Sequence, residues 1–495
     1  MNYRRITAIA LTAVSLFLQS CGLIIVNDMT HETEMESADE SGAETNRTER
    51  ETSEPYVKYE DDGGGIELAM EYLDSLPKRD YDGAVFFITT PSADYIAPQD
   101  TSSAVSRLAV ERNRIVEEKL NIKLITSVDT TDNMLTGVKN AIAAETYYTD
   151  LMMLPIYQIG TFKAENTLTN MRSIPFFDLE QPFFYRESSD MSSGGYTTYA
   201  IAGDASISPS SFSAVYMNTT LLESAGIEKE IVYEWAEDGK WTWDKLLLCT
   251  ESVKKLGSDT GVHYYSVTSQ NNAQRLPDLV FKSFDIDFVA SERRKVPMIG
   301  FTVESAQDVM DVLAKIYNDS KSITDSTAGA AGIFSNGEST FLIEYLYVMS
   351  WLTNSRTEWG LLPIPKGEIK DDYKTLIANN ELVFAIPKNH TNTEFAAMTL
   401  SALNAASYGY IHDEYVNYSM INMLRDNSST KMLSLILDTA SFDFALAFGN
   451  KYSAVADATY KLIRKCAASN DLDKYYKNSV ERANKVLNEE FGLKY

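Results

Sequence analysis

Only three cysteines and four histidines occur in 495 residues, and their scarcity removes several kinds of chemistry at once. His31, His263, His390 and His412 lie far apart and form neither an HxxxH nor an HExxH pattern, so a zinc site of the usual kind has no support. Besides Cys21 there are Cys249 and Cys466, with no CxxC pair. They read either as one disulfide formed outside the cell or, in preference, as two separate buried thiols. The chain also lacks a GxxxxGK[ST] phosphate loop, a GxGxxG turn after a strand and a GxSxG elbow. ATP hydrolysis, dinucleotide binding and α/β-hydrolase chemistry therefore lose their best handles, and neither a cofactor nor a metal is expected. Positive charge is short as well, 44 Lys and Arg against 70 Asp and Glu. A formal charge of -26 argues against a nucleic-acid partner and against electrostatic docking on anionic lipid. The acidic pairs Asp285 with Asp287 and Asp471 with Asp473 lack a calcium-loop pattern and read as solvated surface. A glycosidase pair of carboxylates, being defined by spatial separation, remains open as one alternative, and a non-transport surface adhesion protein as another.

Long apolar runs are equally few. One comes after Arg4 and Arg5 over residues 6–18, too short to span a bilayer comfortably, and it leads into Leu18-Gln19-Ser20-Cys21-Gly22. That ending resembles the lipobox of bacterial lipoproteins, which implies cleavage after residue 20 and a diacylglycerol on the Cys21 sulfur. The expected location is the extracytoplasmic face of the cell membrane, held there by the lipid anchor. Residues 31–62 carry almost no large apolar side chain and close on Gly63-Gly64-Gly65, so residues 21–65 read as a solvated acidic tether.

Beyond Gly65 lies a body of about 430 residues with ordinary apolar content, enough for two domains. Residues 83–90 (GAVFFITT) read as a buried strand, 108–120 as a helix, 122–125 as a strand, 134–144 as a helix and 150–154 as a strand ending at Pro155. This β-α-β-α-β start favours a parallel sheet and an α/β fold. Residues 212–217 form the next strand, 219–225 a helix closed by Gly226, and Thr242 is placed as the N-cap of a further helix. Residues 381–386 (ELVFAI) read as a strand and 393–403 as a helix, with a mostly helical C-terminal part from Ser407.

Five segments in order resemble the extracellular solute-binding proteins of family 1, the capture subunits of ABC importers for sugars. They are Glu111-Arg112-Asn113 through Val116 to Ile122; Val215-Tyr216-Met217-Asn218 with Leu221, Leu222, Ala225 and Gly226; Trp241-Thr242-Trp243-Asp244-Lys245-Leu246; Phe334-Ser335-Asn336-Gly337-Glu338; and Gly360-Leu361-Leu362-Pro363-Ile364-Pro365. The resemblance implies a two-lobed, type II periplasmic-binding-protein-like fold. Each lobe is a mixed, mostly parallel sheet flanked by helices, with a hinge between the lobes and the ligand in the cleft. Residues 66–205 and 365–405 would form lobe one, and 206–364 and 406–495 lobe two. The Ser/Gly stretch 203–211 suits either a crossover or a surface loop. Separate ABC permease subunits are the implied partners, and a sugar or oligosaccharide the implied ligand, bound without chemistry.

A sugar offers apolar C–H faces and a rim of hydroxyls, so its site calls for aromatic platforms with fixed donors and acceptors. Tyr347 falls where the family places a stacking aromatic, with Glu344 and Tyr345 expected on the loop before it. Thr89, Thr90 and Ser92 come after the first strand and Tyr157 after the third, at the carboxyl edge where open α/β sheets hold ligands. Asn379, Asn380 and Glu381 lead into the strand that returns to lobe one, although Asn379-Asn380 also suits a plain turn. Tyr185, Tyr196 and Tyr199 precede the crossover and rim the cleft or pack the hinge. Trp235, Trp241 and Trp243 are assigned to structure.

Overall fold

A computed structural model describes residues 64–492 apart from 175–177, 195–196, 270–275, 292–294, 319–326, 369–370, 409–410 and 412–414. Cys21, the export signal, residues 21–63 of the tether, Tyr196 and His412 lie outside the described residues. The first sheet is built from Ala84–Thr90 (β1), Ile122–Val128 (β2) and Leu151–Pro155 (β3). β1 runs parallel to β2 from Ala84 opposite Ile122 to Thr90 opposite Val128, and parallel to β3 on its other side. The helices Ala104–Leu120 and Thr131–Ala143 make the two crossovers. Their boundaries reflect local chemistry: Ser103 and Thr130 cap the N-termini through their side chains, and Asn121 closes the first helix at φ 50.

The chain then leaves for a second sheet, made of Ser213–Asn218 (β4), Tyr265–Ser269 (β5), Ser339–Tyr345 (β6) and Trp359–Leu362 (β7). Its order is β7, β4, β6, β5, with β4 antiparallel to both neighbours and β6 parallel to β5. Leu382–Ala385 (β8) returns to the first sheet and pairs antiparallel with β3, Leu382 opposite Pro155, giving the order β8, β3, β1, β2. Two α/β lobes result.

The alternation of side chains along β1 decides what each face of the first sheet buries. Phe86 and Ile88 point with Ile122, Leu151, Met153 and Phe384 toward Val116 and Leu120 of the first crossover helix and Phe395, Met398 and Leu403 of the helix Thr393–Ser407. On the other face Met152 and Leu154 meet Met134 and Val138, and this core continues through Ile156, Ile159 and Phe162 into Phe444 and Phe448 near the C-terminus. Within the second lobe Trp241 and Trp243 are structural, as expected, being fully buried with indole N–H groups on the Pro363 carbonyl (3.0 Å) and Ser283 Oγ (2.8 Å). Thr242 holds the N-cap position, but its side chain makes no capping hydrogen bond. Cys249 and Cys466 are free and buried, so the thiol alternative holds.

Two passages between the lobes run side by side. The Ala378 N–H donates to the Ser211 carbonyl (3.1 Å), Phe212 bridges to Ile377, and the Leu346 N–H donates to the Phe212 carbonyl (2.8 Å). The stretch beginning at Gly203 is therefore a crossover, since Ala202–Gly203 still pairs with Phe184–Tyr185 in the first lobe while Ser213 already sits in β4. Lys366 bonds to Trp241 on the second side, and the chain passes back over Ile377 to Glu381. The C-terminal helix Leu472–Phe491 is anchored on the second lobe, where the Ile299 N–H donates to Asn484 Oδ1 (2.8 Å). Its far end grips the first lobe: Lys163 Nζ bonds Glu490 (3.0 Å) and Tyr452 (3.0 Å) and stands 4.1 Å above the Phe491 ring.

Candidate functional site

A cavity of about 260 Å³ opens at the carboxyl end of β6, beside the paired crossovers. Tyr345 ends β6, while the Asn379 carbonyl accepts from the N–H of Tyr157, the second residue after β3 (3.1 Å). Tyr345 and Asn379 line the cavity with Asp278, Asn450, Tyr460 and Arg464, over an apolar floor that includes Ile377 and Leu446. The Asp278 carboxylate is held by Arg464, through Nε to Oδ1 (3.1 Å) and through Nη2 to Oδ2, and the guanidinium lies 4.6 Å from the Tyr460 ring centroid. Such a planar fork fits a carboxylate at both ends, which fixes the orientation of both side chains.

From the cavity an aromatic row leads outward. The Tyr345 and Tyr347 rings are near parallel at 19° with centroids 6.2 Å apart, and Trp351, 42% exposed, meets Tyr347 edge-on at 5.6 Å. Tyr345 is fixed from behind by the Tyr216 hydroxyl, which donates to the Tyr345 carbonyl (3.0 Å). Offset rings with one exposed end have the geometry of a platform for a flat apolar face.

The expected residues divide. Tyr345 and Asn379 reach the cavity and Tyr347 extends it. Glu344 and Tyr345 are not loop residues, because both belong to β6, opposite Ala214 and Ser213. Strand alternation turns the Glu344 side chain to the face opposite Tyr345, and Glu344 is only 2% exposed. Thr89 and Thr90 are buried at the end of β1, where Thr90 Oγ1 donates to the Ser92 carbonyl (2.6 Å) and Ser92 Oγ donates to Asp94 (2.9 Å). Asn380 is exposed. Tyr199 lies near Tyr452 and Glu490 rather than in the cavity lining, and burial raises its hydroxyl pKa, opposed by a hydrogen bond with Thr197 and reinforced by Glu490.

Glu381 serves the passage itself. Its carbonyl accepts from the Ile156 N–H (2.9 Å), its N–H donates to the Ala378 carbonyl (3.0 Å), and its carboxyl accepts from the Ser208 N–H (3.1 Å), tying one crossover to the other. Burial pushes that carboxyl up to about 7 and the Ser208 N–H partly offsets it. Tyr185, Tyr95 and Asp204 share this neighbourhood, and burial raises both tyrosine hydroxyls. The Tyr95 hydroxyl is buried without a hydrogen-bond partner among the described residues.

Asp278, Asn450, Tyr460 and Arg464 escaped the sequence reading because no motif marks them. Tyr460 and Arg464, four apart on the helix Tyr460–Cys466, share a face, which was the one available signal. Among the described residues no group of three or more His, Cys, Asp or Glu could hold a metal, and no helix is long and apolar enough to cross a membrane.

No protein-family model and no curated protein sequence matches the chain. Solved structures do. A cyclic α-maltosyl-1,6-maltose binding protein from Arthrobacter globiformis superposes with a TM-score of 0.55 at 11% identity, over 83% of this chain and 99% of that one. A family 1 extracellular solute-binding protein from Bifidobacterium longum subsp. infantis gives 0.54 at 10% identity, over 81% and 98%. The galacto-N-biose/lacto-N-biose I-binding protein of an ABC transporter from Bifidobacterium longum, in complex with lacto-N-biose, gives 0.52 at 11% identity, over 84% and 99%. At such identities the likeness is one of architecture, and the chain has the two-lobed fold of the family 1 extracellular solute-binding proteins.

Proposed function

We propose that this chain captures a carbohydrate, or a similar small polar solute, between its two lobes and presents it to the permease subunits of an ABC importer. The observation that carries the reading is the polar cavity at the carboxyl end of β6, beside the crossovers and continued by the aromatic row of Tyr345, Tyr347 and Trp351. A ligand touching groups of both lobes stabilises the closed arrangement over the open one by its differential contacts, and no bond need be made or broken. The lobes are taken as 66–205 with 365–405 and 206–364 with 406–495, the return itself running over Ile377 to Glu381. Thr89, Thr90, Ser92, Tyr157, Asn379, Asn380, Tyr345 and Tyr347 belong to the cleft on this reading, and Glu381 holds its hinge.

The same reading makes the protein a lipoprotein, anchored through Cys21 on the outer face of the cell membrane with its tether extended by like charge. Cys21→Ala is expected to abolish lipid labelling; a labelled band that persists removes the anchor. For the ligand, the full chain is screened by thermal shift and calorimetry against mono- and oligosaccharides, with analysis of the sugar recovered. Saturable binding and unchanged sugar are expected. Turnover of the glycan would replace capture by hydrolysis, and no shift with any sugar would remove the carbohydrate.

A further inference from the structure

Resting on the capture reading, we infer that the Arg464 and Asp278 pair determines specificity, admitting an electroneutral saccharide of about one ring and turning away acidic and amino sugars. Among the described residues that line the cavity these two are the only formally charged side chains, and they carry opposite charge. Asp278 is 4% exposed and bidentate with Arg464, so the charges cancel within the wall. In a recess that strips part of a ligand's water an unmatched charge is costly, since the ligand gives up hydration without gaining a counter-ion. A ligand carboxylate brought to this wall meets Asp278 together with Arg464, and a ligand ammonium meets Arg464 together with Asp278, so neither gains a net counter-charge.

A hydroxyl both donates and accepts, and the wall offers both. Arg464 Nη1 makes no hydrogen bond to a described residue, the Asn379 and Asn450 amides stand at the rim, and the Tyr460 hydroxyl serves either role. The volume matches the same class. At about 260 Å³ the cavity lies at the small end for a ligand site and suits a ligand of about one ring. Longer saccharides would extend over Tyr347 and Trp351.

The test uses the full chain and calorimetry at neutral pH with glucose, galactose and mannose, their uronates and their 2-amino counterparts. The expected result is that a neutral hexose binds at least tenfold more tightly than its uronate and its amine. Asp278→Asn leaves Arg464 unmatched and is expected to raise uronate affinity relative to the neutral sugar at least tenfold. The double variant Asp278→Asn with Arg464→Gln is neutral again and restores the preference, so selectivity tracks net charge and not packing alone. Thermal melts establish that each variant folds, and the wild-type ratios stand even where one does not. A wild-type preference for a charged sugar, or ratios unchanged in folded Asp278→Asn, overturns the inference while leaving capture intact. Absence of binding by every sugar overturns both.

Discussion

Glu381→Gln isolates the energetics of the hinge. The glutamate carboxyl accepts the Ser208 N–H, a role the glutamine oxygen retains, so the substitution removes the buried charge and little else. Burial raises the carboxyl from 4.5 to about 7 in the folded protein. The folded state thus binds this proton more tightly than the unfolded chain does. The associated stability is complete below about pH 4.5 and is lost as pH rises through 7, when the carboxylate must ionise inside the protein. At about 1.4 kcal/mol per pKa unit the full effect is roughly 3 kcal/mol. The variant is expected to be more stable than wild type at pH 8, with the advantage shrinking by roughly 2 to 3 kcal/mol on going to pH 5. Urea unfolding of both proteins across that range, read as the difference in free energy, measures it. Asp443, buried and likewise raised to about 7, tilts both curves in the same direction and drops out of the difference. A difference that does not change with pH, or a variant weaker at pH 8, would refute the reasoning.

Gly160→Ala places a Cβ 2.9 Å from the Phe448 Cα, a backbone atom that cannot rotate away, and is expected to cost about 1 to 3 kcal/mol in urea unfolding. Tyr347→Ala is expected to weaken the bound sugar about tenfold while the melting temperature stays within a few degrees, since Tyr347 is only half-buried; equal affinity in calorimetry would take it out of the site. Lys163→Met removes the contacts to Glu490 and Tyr452 and is expected to speed amide exchange in the last turn of the C-terminal helix, measured by mass spectrometry. Both free thiols should stay unlabelled by a thiol reagent until the protein unfolds, because burial pushes Cys249 up to about 12 and Cys466 up to about 11.

The first sheet was legible because its strands are short apolar runs punctuated by Pro91 and Pro155, and period-two burial comes directly from Phe86 and Ile88 alternating with Val85 and Phe87. Placing β8 beside β3 needed more than periodicity: the resemblance implied the return to lobe one, and the antiparallel pairing with β3 emerges only in the folded chain. The cavity was only half legible. Tyr345 and Asn379 adjoin recognisable strands, whereas Asp278 and Arg464 are 186 positions apart and come together only through tertiary packing. Glu344 was misplaced because β6 runs two residues further than its motif suggests, and a single step along a strand exchanges cleft for core.

The grip of Lys163 on Glu490, Tyr452 and Phe491 bears on how this molecule moves. A body hung on adjacent crossovers alone can both bend and swivel. One held again at a distant point keeps a single easy rotation, about the line joining the two supports. The C-terminal helix, with Phe444 and Phe448 packed on Ile156 and Ile159, therefore adds a support beyond the crossovers, and any rearrangement of the lobes must either turn about it or release it.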